Sequence, residues 1–398
     1  MSDISVVGGF YGERCVAPDV DELYGSGGRA AVAIARAGAS VDWNYYCPDA
    51  DELLARSVVS HENIVHHPHV SDALIQFRYF HPLSRPQFIP RMISLAPSIA
   101  VDAKNVLRFG FMEGDAVVHA SNCVYDPQSP HQAIPFSANG SSCERLAVVL
   151  NSAEVIQYAQ VNDESEAIRR IFTDRTVSVV LVKAGAEGCR VYEDGKLIGT
   201  VPPFWSDTVY KIGTGDVFSA AFAYNWMLQS KSVLDSAEIA SRCVAQYCMS
   251  RTPTVCRKDT PENLKPVAQG KSGQVYIAGP FFTMAELWLI EEACAAFSEL
   301  GMQAFSPYHE VGFGSPSAVV TKDLAGLENS SAVLAVLDGC DAGTLFEIGY
   351  AVKLGIPVVA LSQNPKEADQ TMILGSDNCY VTNDFATAIY RSIWEARR

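Results

Sequence analysis

Long apolar runs, basic charge and paired cysteines are all scarce in this 398-residue sequence. No apolar run approaches the roughly 20 residues that a membrane-spanning helix needs, and the first residues are typical of a strand rather than a signal peptide. Acidic residues outnumber basic ones by 45 to 30, and no basic patch is evident, which disfavours a nucleic-acid partner. The 11 cysteines include no Cys-x-x-Cys pair, which favours reduced thiols over disulfides or zinc. We therefore expect a cytoplasmic protein with no membrane partner, no nucleic-acid partner and no structural metal.

Length and apolar content indicate two domains, since 398 residues exceed one ordinary domain and 48% of them are apolar. Strands and helices alternate in the first two thirds, which is typical of a doubly wound α/β sheet with helices on both faces. The predicted elements there are strands over 4–7, 41–47, 177–182 and 190–192 and a helix over 28–37. Residues 257–273 are polar and contain two prolines and two glycines, which predicts a linker. We therefore expect domains over 1–256 and 274–398.

The most informative segment lies near the C-terminus, where Asp341 and Glu347 flank a Gly343-Thr344 turn that opens a helix. Free backbone N–H groups and the helix dipole would keep a carboxylate in the first turn ionised, so Glu347 could attack a sugar as an anionic nucleophile. Asp341 could cap the helix or bind a substrate hydroxyl. The structural alternative is an ordinary capping Asp followed by a solvated helical Glu.

The segments around that helix predict further strands and a helix of an α/β domain. Gln274–Phe282 predicts an apolar strand that runs into a Gly-Pro turn with two aromatics, and such a strand end is a ligand-binding edge in α/β sheets. A helix is predicted over 285–300, and strands are predicted over 332–337 and 358–361. Between them lies Asp323-Leu-Ala-Gly-Leu327.

These motifs resemble, in order and spacing, the nucleoside 2-deoxyribosyltransferase family from Val275 to the C-terminus. The resemblance implies a smaller Rossmann-like (flavodoxin-like) α/β domain that needs no cofactor. Glu347 would attack C1′ of the sugar to form a glycosyl-enzyme, and Asp323 would hold and protonate the leaving base. A second base or water would be the acceptor. The implied substrate-binding residues are Tyr276, Gly279, Phe281, Gly343, Thr344, Gln370 and Met372, although a core position is equally open for Phe281.

Two positions refine this expectation. Related hydrolases of nucleoside 5′-monophosphates carry Ser where Asp341 stands, and two like charges ~4 Å apart cost about 1 to 4 kcal/mol. Asp341 therefore favours an unphosphorylated nucleoside.

Gln370-Thr-Met372 falls where the family has Asn-x-Met, a segment that reaches a neighbouring subunit's site. The resemblance thus implies a homo-oligomer and leaves 2′-deoxy specificity open.

In the first domain, Gly213-Thr214-Gly215 leads into a helix that begins with Asp216 and a run of small residues. Such a turn makes an anion hole from backbone N–H groups. Asp216 could accept a hydroxyl proton beside a bound phosphate, which is the general-base role in phosphoryl transfer. A plain helix cap is the alternative.

Further motifs of residues 1–256 resemble the PfkB (ribokinase-like) sugar and nucleoside kinase family. They are Gly27-Gly28 before a helix, a strand ending in Asp126-Pro, Asn151-x-x-Glu154, and a turn over Lys183, Gly185 and Gly188. The resemblance implies that ATP and Mg²⁺ bind near Gly213, Thr214, Gly215, Asn151, Glu154, Lys183, Gly185 and Gly188, and that sugar binds near Gly27 and Gly28. Three departures are Tyr210-Lys211 for Asp-Thr, Val32 for Asn, and Glu13 where a first-strand Asp is expected.

The leading hypothesis is a fusion enzyme of nucleoside metabolism, with nucleosides, free bases and sugars as ligands. One domain would break or exchange the N-glycosidic bond, and the other would phosphorylate a nucleoside or sugar. The alternative is an inactive kinase-like ligand sensor that regulates a nucleoside or nucleotide N-glycosidase.

Overall fold

The computed structural model describes residues 2–128, 133–255, 264–270, 273–312, 314–364 and 367–398. The chain forms two compact units, Met1–Ser206 with Tyr210–Pro266 and Asp207–Val209 with Val267–Arg398. Much of the predicted linker, 257–263 and 271–272, lies outside the described residues, so the predicted domain limits stay a prediction. Across the described ranges, no helix combines the length and the apolar character needed to cross a bilayer.

The first unit contains a large sheet and a small one. Its strands are, in chain order, β1 (Ile4–Val7), β2 (Gly12–Cys15), β3 (Val20–Leu23), β4 (Val41–Cys47), β5 (Ile64–Val70), β6 (Gln76–Tyr79), β7 (Gln87–Ile89), β8 (Ile99–Phe109), β9 (Ala116–Asp126), β10 (Ser142–Asn151), β11 (Val177–Lys183), β12 (Cys189–Glu193) and β13 (Lys196–Val201). The large sheet has the order β13-β12-β11-β10-β9-β8-β1-β4-β5, and the small sheet has the order β3-β2-β6-β7. The large sheet is parallel from β11 to β5, and β12 and β13 add antiparallel strands at one edge.

Helices cover both faces of the large sheet. They are α1 (Gly25–Arg36), α2 (Glu52–Val58), α3 (Ser152–Ala159), α4 (Glu164–Ile171), α5 (Thr214–Ala223) and α6 (Val233–Ser250). Successive residues of β11 enter different cores: Val179 and Leu181 join the cluster of α1, α5 and α6, whereas Val180 joins the cluster of α3 and α4. Successive side chains of a strand point to opposite faces. The predicted doubly wound α/β sheet is therefore confirmed.

The second unit is a smaller, wholly parallel sheet. Its strands are β14 (Gln274–Ala278), β15 (Gln303–Phe305), β16 (Ala332–Val336), β17 (Val358–Leu361) and β18 (Cys379–Thr382), in the order β15-β14-β16-β17-β18. Its helices are α7 (Met284–Glu299), α8 (Pro307–Glu310), α9 (Pro316–Glu328), α10 (Ala342–Leu354), α11 (Glu367–Leu374) and α12 (Phe385–Ala396). The strand order reverses between β14 and β16, so the ligand crevice of such a sheet opens at the carboxyl ends of these strands. This order confirms the predicted flavodoxin-like domain.

Local sequence explains how the helices beside that crevice begin. Thr283 caps α7 in a capping box with Glu286, in which each side chain satisfies the other residue's backbone N–H. Asp341 caps α10 in the same region of the sheet, and Pro316 opens α9. These caps place the start of each helix at a defined point after its strand or loop.

Candidate functional site

The site of the second unit is built on a hydrogen bond between Tyr276 and Glu347. Tyr276 lies in β14 and is fully buried, and its hydroxyl donates to Glu347 Oε1 at 2.6 Å. Burial raises the pKa of Glu347 to about 7, against the hydrogen bond from Tyr276, which lowers it. The Asp323 and Asp341 carboxylates contribute to the same rise in pKa, so all three acids act on one region. One strand and two helices thus bring the predicted acidic residues together.

One prediction about Glu347 is wrong. We expected it in the first turn of a helix, but α10 begins at Ala342, and its first turn contains no acidic residue. Glu347 lies in the second turn, where the backbone N–H groups are already bonded within the helix and the dipole is weaker. The Tyr276 hydroxyl, rather than the helix end, therefore stabilises the ionised carboxylate.

Tyr276 is itself held by packing that the sequence prediction did not include. The Phe305 ring stacks on the Tyr276 ring, with centroids 5.5 Å apart and planes 12° apart. Phe305 fits there because residue 326 is glycine: a Cβ at that position would lie 2.4 Å from the ring. Gly326 is the glycine of the Asp-Leu-Ala-Gly segment, so that motif supplies both an acid and the space beneath the tyrosine.

Asp323 lies on α9 with one carboxyl oxygen desolvated. Its Oδ1 is buried and has no hydrogen-bond partner among the described residues. Burial raises the pKa of Asp323, because a desolvated carboxyl favours its neutral form. A neutral carboxyl can donate a proton, which is the role that a leaving base requires.

Asp341 caps α10. Its Oδ2 accepts hydrogen bonds from the Thr344 backbone N–H at 2.8 Å and from the Thr344 hydroxyl at 3.1 Å. Gly343 keeps this cap open, since a Cβ there would come within 3.0 Å of the same oxygen. Both cap bonds use Oδ2, which leaves Oδ1 for a ligand.

The other predicted residues of this unit differ in accessibility. Gly279 lies in a tight turn, where a Cβ would be 3.0 Å from both Ile290 and Val336. Phe281 is half-buried and packs against Tyr308, with ring centroids 5.4 Å apart. Its role as a wall of the site stays a prediction.

Gln370 and Met372 lie in contrasting environments. Gln370 is buried and donates from Nε2 to Ser362 Oγ at 2.7 Å, so its amide has a partner within its own unit. Met372 is 83% exposed. The expected reach into a neighbouring subunit, and with it the homo-oligomer, stays a prediction.

In the first unit, Asp216 lies in the first turn of α5. Gly213 caps this helix with φ +79°, a left-handed conformation that glycine adopts readily. Both carboxyl oxygens of the buried Asp216 have donors: Arg29 Nη1 at 2.6 Å from Oδ2, and Gln128 Nε2 at 2.7 Å from Oδ1. The predicted base is therefore tied to two side chains that the sequence prediction did not name.

Arg29 connects Asp216 to the small sheet. Its buried guanidinium pairs with Glu13 on β2 and, at 3.2 Å, with Glu22 on β3. We expected Glu13 on the first strand, and the structure corrects this: the chain leaves β1 at Val7, and Glu13 belongs to the next strand. Arg29 is the fifth residue of α1, near the positive end of the helix dipole, where a buried cation needs a carboxylate partner.

The predicted phosphate side contains two lysines. Lys183 Nζ lies 2.8 Å from Asp126 Oδ2, which also accepts from Ser219 Oγ at 2.7 Å. Asp126 Oδ1 is buried and has no hydrogen-bond partner among the described residues. Lys211 donates to Thr214 Oγ1 at 3.2 Å, and burial together with the nearby Lys183 lowers its pKa. Two crowded cations and an unsatisfied carboxylate oxygen fit a phosphate group with a bound cation.

Asn151 and Glu154 form the capping box of α3. Their side chains bond to each other's backbone N–H groups, so their positions are explained by the helix start. A role with Mg²⁺ stays a prediction. Within the described ranges, no group of three or more His, Cys, Asp or Glu side chains is placed to hold a metal.

The glycines of the first unit have packing roles. A Cβ at Gly27 would lie 2.1 Å from Gly8 O, and one at Gly28 would lie 3.0 Å from the Trp43 ring. Gly185 and Gly188 have φ of +56° and +92° in the turn before β12. These packing and backbone constraints explain the four glycines without any ligand. The binding roles predicted for them stay predictions.

Two family models match the chain. Residues 137–260 match the pfkB family carbohydrate kinase model, and residues 275–385 match the nucleoside 2-deoxyribosyltransferase model. Among curated proteins, inositol 3-kinase of Zea mays is 30% identical over 152 residues, which cover 38% of this chain and 34% of that protein. 5-Dehydro-2-deoxygluconokinase of Clostridium beijerinckii is 32% identical over 101 residues, which cover 25% of this chain and 28% of that protein. The chain thus spans about a third of the length of these curated relatives.

Solved structures similar to this chain include phosphofructokinase-2 from Escherichia coli in complex with potassium, with a TM-score of 0.48 and 15% identity over 65% of this chain and 97% of that one. A fructokinase from Vibrio cholerae with bound fructose, ADP and calcium ion has a TM-score of 0.44 and 15% identity over 62% of this chain and 92% of that one. From the two family matches, the chain joins a pfkB family carbohydrate kinase domain to a nucleoside 2-deoxyribosyltransferase domain.

Proposed function

We propose that the second unit breaks the N-glycosidic bond of an unphosphorylated nucleoside and passes the sugar to water or to a second base. The observation that supports this most directly is the Tyr276–Glu347 hydrogen bond at the strand-order reversal of the sheet. It engages Oε1 of the carboxylate and leaves Oε2 available for attack. The family match over residues 275–385 agrees with this chemistry.

The proposed reaction has two steps. Glu347 Oε2 attacks C1′ as the bond from C1′ to the base nitrogen breaks, and the base leaves with a proton from the neutral carboxyl of Asp323. The acceptor then attacks C1′ and displaces Glu347, after losing its proton to the Asp323 carboxylate. These steps follow the two-carboxylate scheme of retaining glycosidases. Burial supports the role of Asp323, because it favours the neutral form, and the Tyr276 hydroxyl supports the role of Glu347, because it favours the ionised form against burial.

Asp341 supports a free 5′-hydroxyl as the recognised group. Its cap bonds use Oδ2, so Oδ1 is available as a hydrogen-bond acceptor at the helix start. A hydroxyl can donate to that oxygen, whereas a phosphate dianion would be repelled by it. We propose nucleosides, free bases and the released sugar as the small-molecule ligands, in a cytoplasmic homo-oligomer.

For the first unit, two functions are open. The pfkB match favours an ATP- and Mg²⁺-dependent kinase of a sugar or nucleoside, with Lys183 and Lys211 beside the phosphates and Asp216 as base. The second candidate is a ligand-binding domain without transferase activity that regulates the other unit. One observation favours the second candidate: both oxygens of Asp216 already accept hydrogen bonds from buried or half-buried side chains.

The decisive experiment for the second unit uses the full chain and a panel of nucleosides and their 5′-monophosphates. Free base is followed by chromatography for the wild type and for Glu347→Ala, with Glu328→Ala as a matched exposed control in the same unit. We expect base release by the wild type and the control, and loss of about 10³-fold or more in Glu347→Ala, since it removes the nucleophile. Equal release by Glu347→Ala would show that the nucleophile is wrong, and preference for monophosphates would overturn the assignment of Asp341.

A further inference from the structure

Arg29 occupies a cage of three carboxylates that no motif of the sequence predicted. Its guanidinium contacts Glu13 and Glu22 through Nη2 and Asp216 through Nη1. The side chain is 0% exposed. Burial alone would lower the pKa of Arg29, but the Glu13 and Asp216 carboxylates raise it well above its usual range. The cation is therefore permanent.

The guanidinium lies against the start of α5. A Cβ at Gly213, the cap of this helix, would be 2.5 Å from Arg29 Nε. The same helix start presents Asp216, whose second oxygen accepts from Gln128. Arg29 thus packs against the cap of α5 and bonds to the carboxylate that lies in its first turn.

Phosphoryl transfer at this place would need a free Asp216 oxygen. The acceptor hydroxyl would give its proton to that oxygen as its own oxygen bonds to the γ-phosphorus, and the bond from that phosphorus to the β-γ bridging oxygen would break. A base must lie within hydrogen-bond reach of the proton that it removes. With Oδ2 bonded to Arg29 and Oδ1 bonded to Gln128, each oxygen already accepts one hydrogen bond. An acceptor hydroxyl would have to reach a remaining lone pair beside one of these two side chains or displace one of them.

An incoming hydroxyl is a poor competitor for this position. Removing one partner from a buried ion pair leaves the other charge desolvated and unpaired, which is strongly unfavourable. A hydroxyl bonded to a carboxylate returns less stabilisation than the ion pair that it replaces. Arg29 also pairs with two further carboxylates, so displacing it would leave Glu13 and Glu22 without their cation as well.

We propose that Arg29 is an internal block of phosphoryl transfer, which withholds Asp216 from any acceptor while the lysine-lined phosphate side remains built. This inference rests on the second candidate function for the first unit and is separate from the glycosyl-transfer proposal, which concerns other residues. It attributes the proposed lack of transfer to Arg29, while Asp216, the predicted base, is retained.

The test measures transfer from radiolabelled ATP with Mg²⁺ to a panel of sugars, polyols and nucleosides, using the full chain. The compared proteins are the wild type and the double variant Arg29→Met, Glu13→Gln, which removes the cation and one opposing charge together. Arg36→Met is the matched control, because Arg36 lies on the same helix and pairs with Glu62 outside the cage. We expect phosphoryl transfer at the background rate for the wild type and the control. The double variant should show a rate of transfer at least tenfold higher, and adding Asp216→Asn should abolish that increase.

Two results would overturn the proposal. One is transfer by the wild type that Asp216→Asn abolishes, and the other is a folded double variant, judged by circular dichroism, without any gain. If the double variant does not fold, Arg29→Gln replaces it, because a neutral amide removes the cation and keeps a polar side chain among the carboxylates. A folded Arg29→Gln without gain would also overturn the proposal. Release of free base is followed in the same samples, so failure of the glycosyl-transfer proposal would be seen independently.

Discussion

Tyr276→Phe isolates the hydrogen bond on which the proposed nucleophile depends. The substitution removes one hydroxyl and keeps the ring that stacks on Phe305. The lost bond stabilises the ionised form of Glu347, because a hydroxyl donates to its Oε1. Its removal therefore raises the pKa of Glu347 above the value of about 7 that burial has already produced.

The expected shift follows from the strength of the bond. A hydrogen bond to a charged group contributes about 1.5–3 kcal/mol, and one pKa unit corresponds to about 1.4 kcal/mol. The pKa of Glu347 should therefore rise by about 1–2 units, to about 8–9. Half of the carboxylate is ionised at a pH equal to its pKa, so the ionised fraction at pH 7 should fall about 5- to 50-fold. The nucleophile must be ionised, so activity is lost as pH falls through the pKa of the folded protein.

The assay is the rate of base release by the full chain as a function of pH. The acid limb should lie near pH 7 for the wild type and about 1–2 units higher for Tyr276→Phe, with partial recovery of the rate at alkaline pH. Tyr350→Phe is the control, because Tyr350 donates to Glu328 at the surface and its loss should leave the limb in place. Acid limbs at the same pH in the wild type and Tyr276→Phe would refute the link between this hydroxyl and the nucleophile.

Two further substitutions test neighbouring parts of the same site. Asp341→Ser keeps a good helix cap and removes a charge. The ratio of kcat/KM for 5′-monophosphate cleavage to that for nucleoside cleavage should therefore rise at least about 5-fold. An unchanged ratio would contradict the role assigned to Asp341. Gly326→Ala drives a Cβ into the Phe305 ring; thermal melts should show a loss of about 1–3 kcal/mol, together with slower base release. Gly349→Ala, where a Cβ meets nothing within 4 Å, should leave both unchanged or raise stability slightly.

Buried parallel strands were the most predictable part of the fold. The predicted strands over Ile4–Val7, Val41–Cys47 and Val358–Leu361 agree with the structure residue for residue. Ile4–Val7 and Val358–Leu361 are buried throughout, and strands buried on both faces form largely apolar runs with clear ends. The small sheet was not predicted, because strands such as Gly12–Cys15 and Val20–Leu23 are short and contain charged residues.

Helix starts show the limit of local patterns. The predicted helix over 28–37 begins three residues earlier, at Gly25, because the glycines of its first turn pack directly on the backbone after β1. That close approach is a tertiary contact, and the apolar periodicity of the helix does not contain it. The displaced position of Glu347 has a local origin: Asp341 caps α10, so the glycine turn lies inside the helix and Glu347 falls in its second turn.

The contacts that define the predicted site residues differ in the sequence separation between the two partners. Asp341 and Thr344 are three residues apart, and the cap that joins them was among the alternatives that the sequence offered. Tyr276 and Glu347 are 71 residues apart, and only the family resemblance placed them in one site. Arg29 and Asp216 are 187 residues apart, and neither pattern nor resemblance connected them.

A comparison of donors explains why one carboxylate is proposed to react and the other is not. Glu347 and Asp216 are both desolvated acids on helices, and each resembles a family's reactive residue. Among the described residues, Glu347 has one donor on one oxygen, which orients the group and leaves an oxygen for the sugar. Asp216 has donors on both oxygens, one of them a buried cation shared with two other acids. A motif identifies the acid in each case, and we infer that the partners of its two oxygens determine which of the two acids reacts.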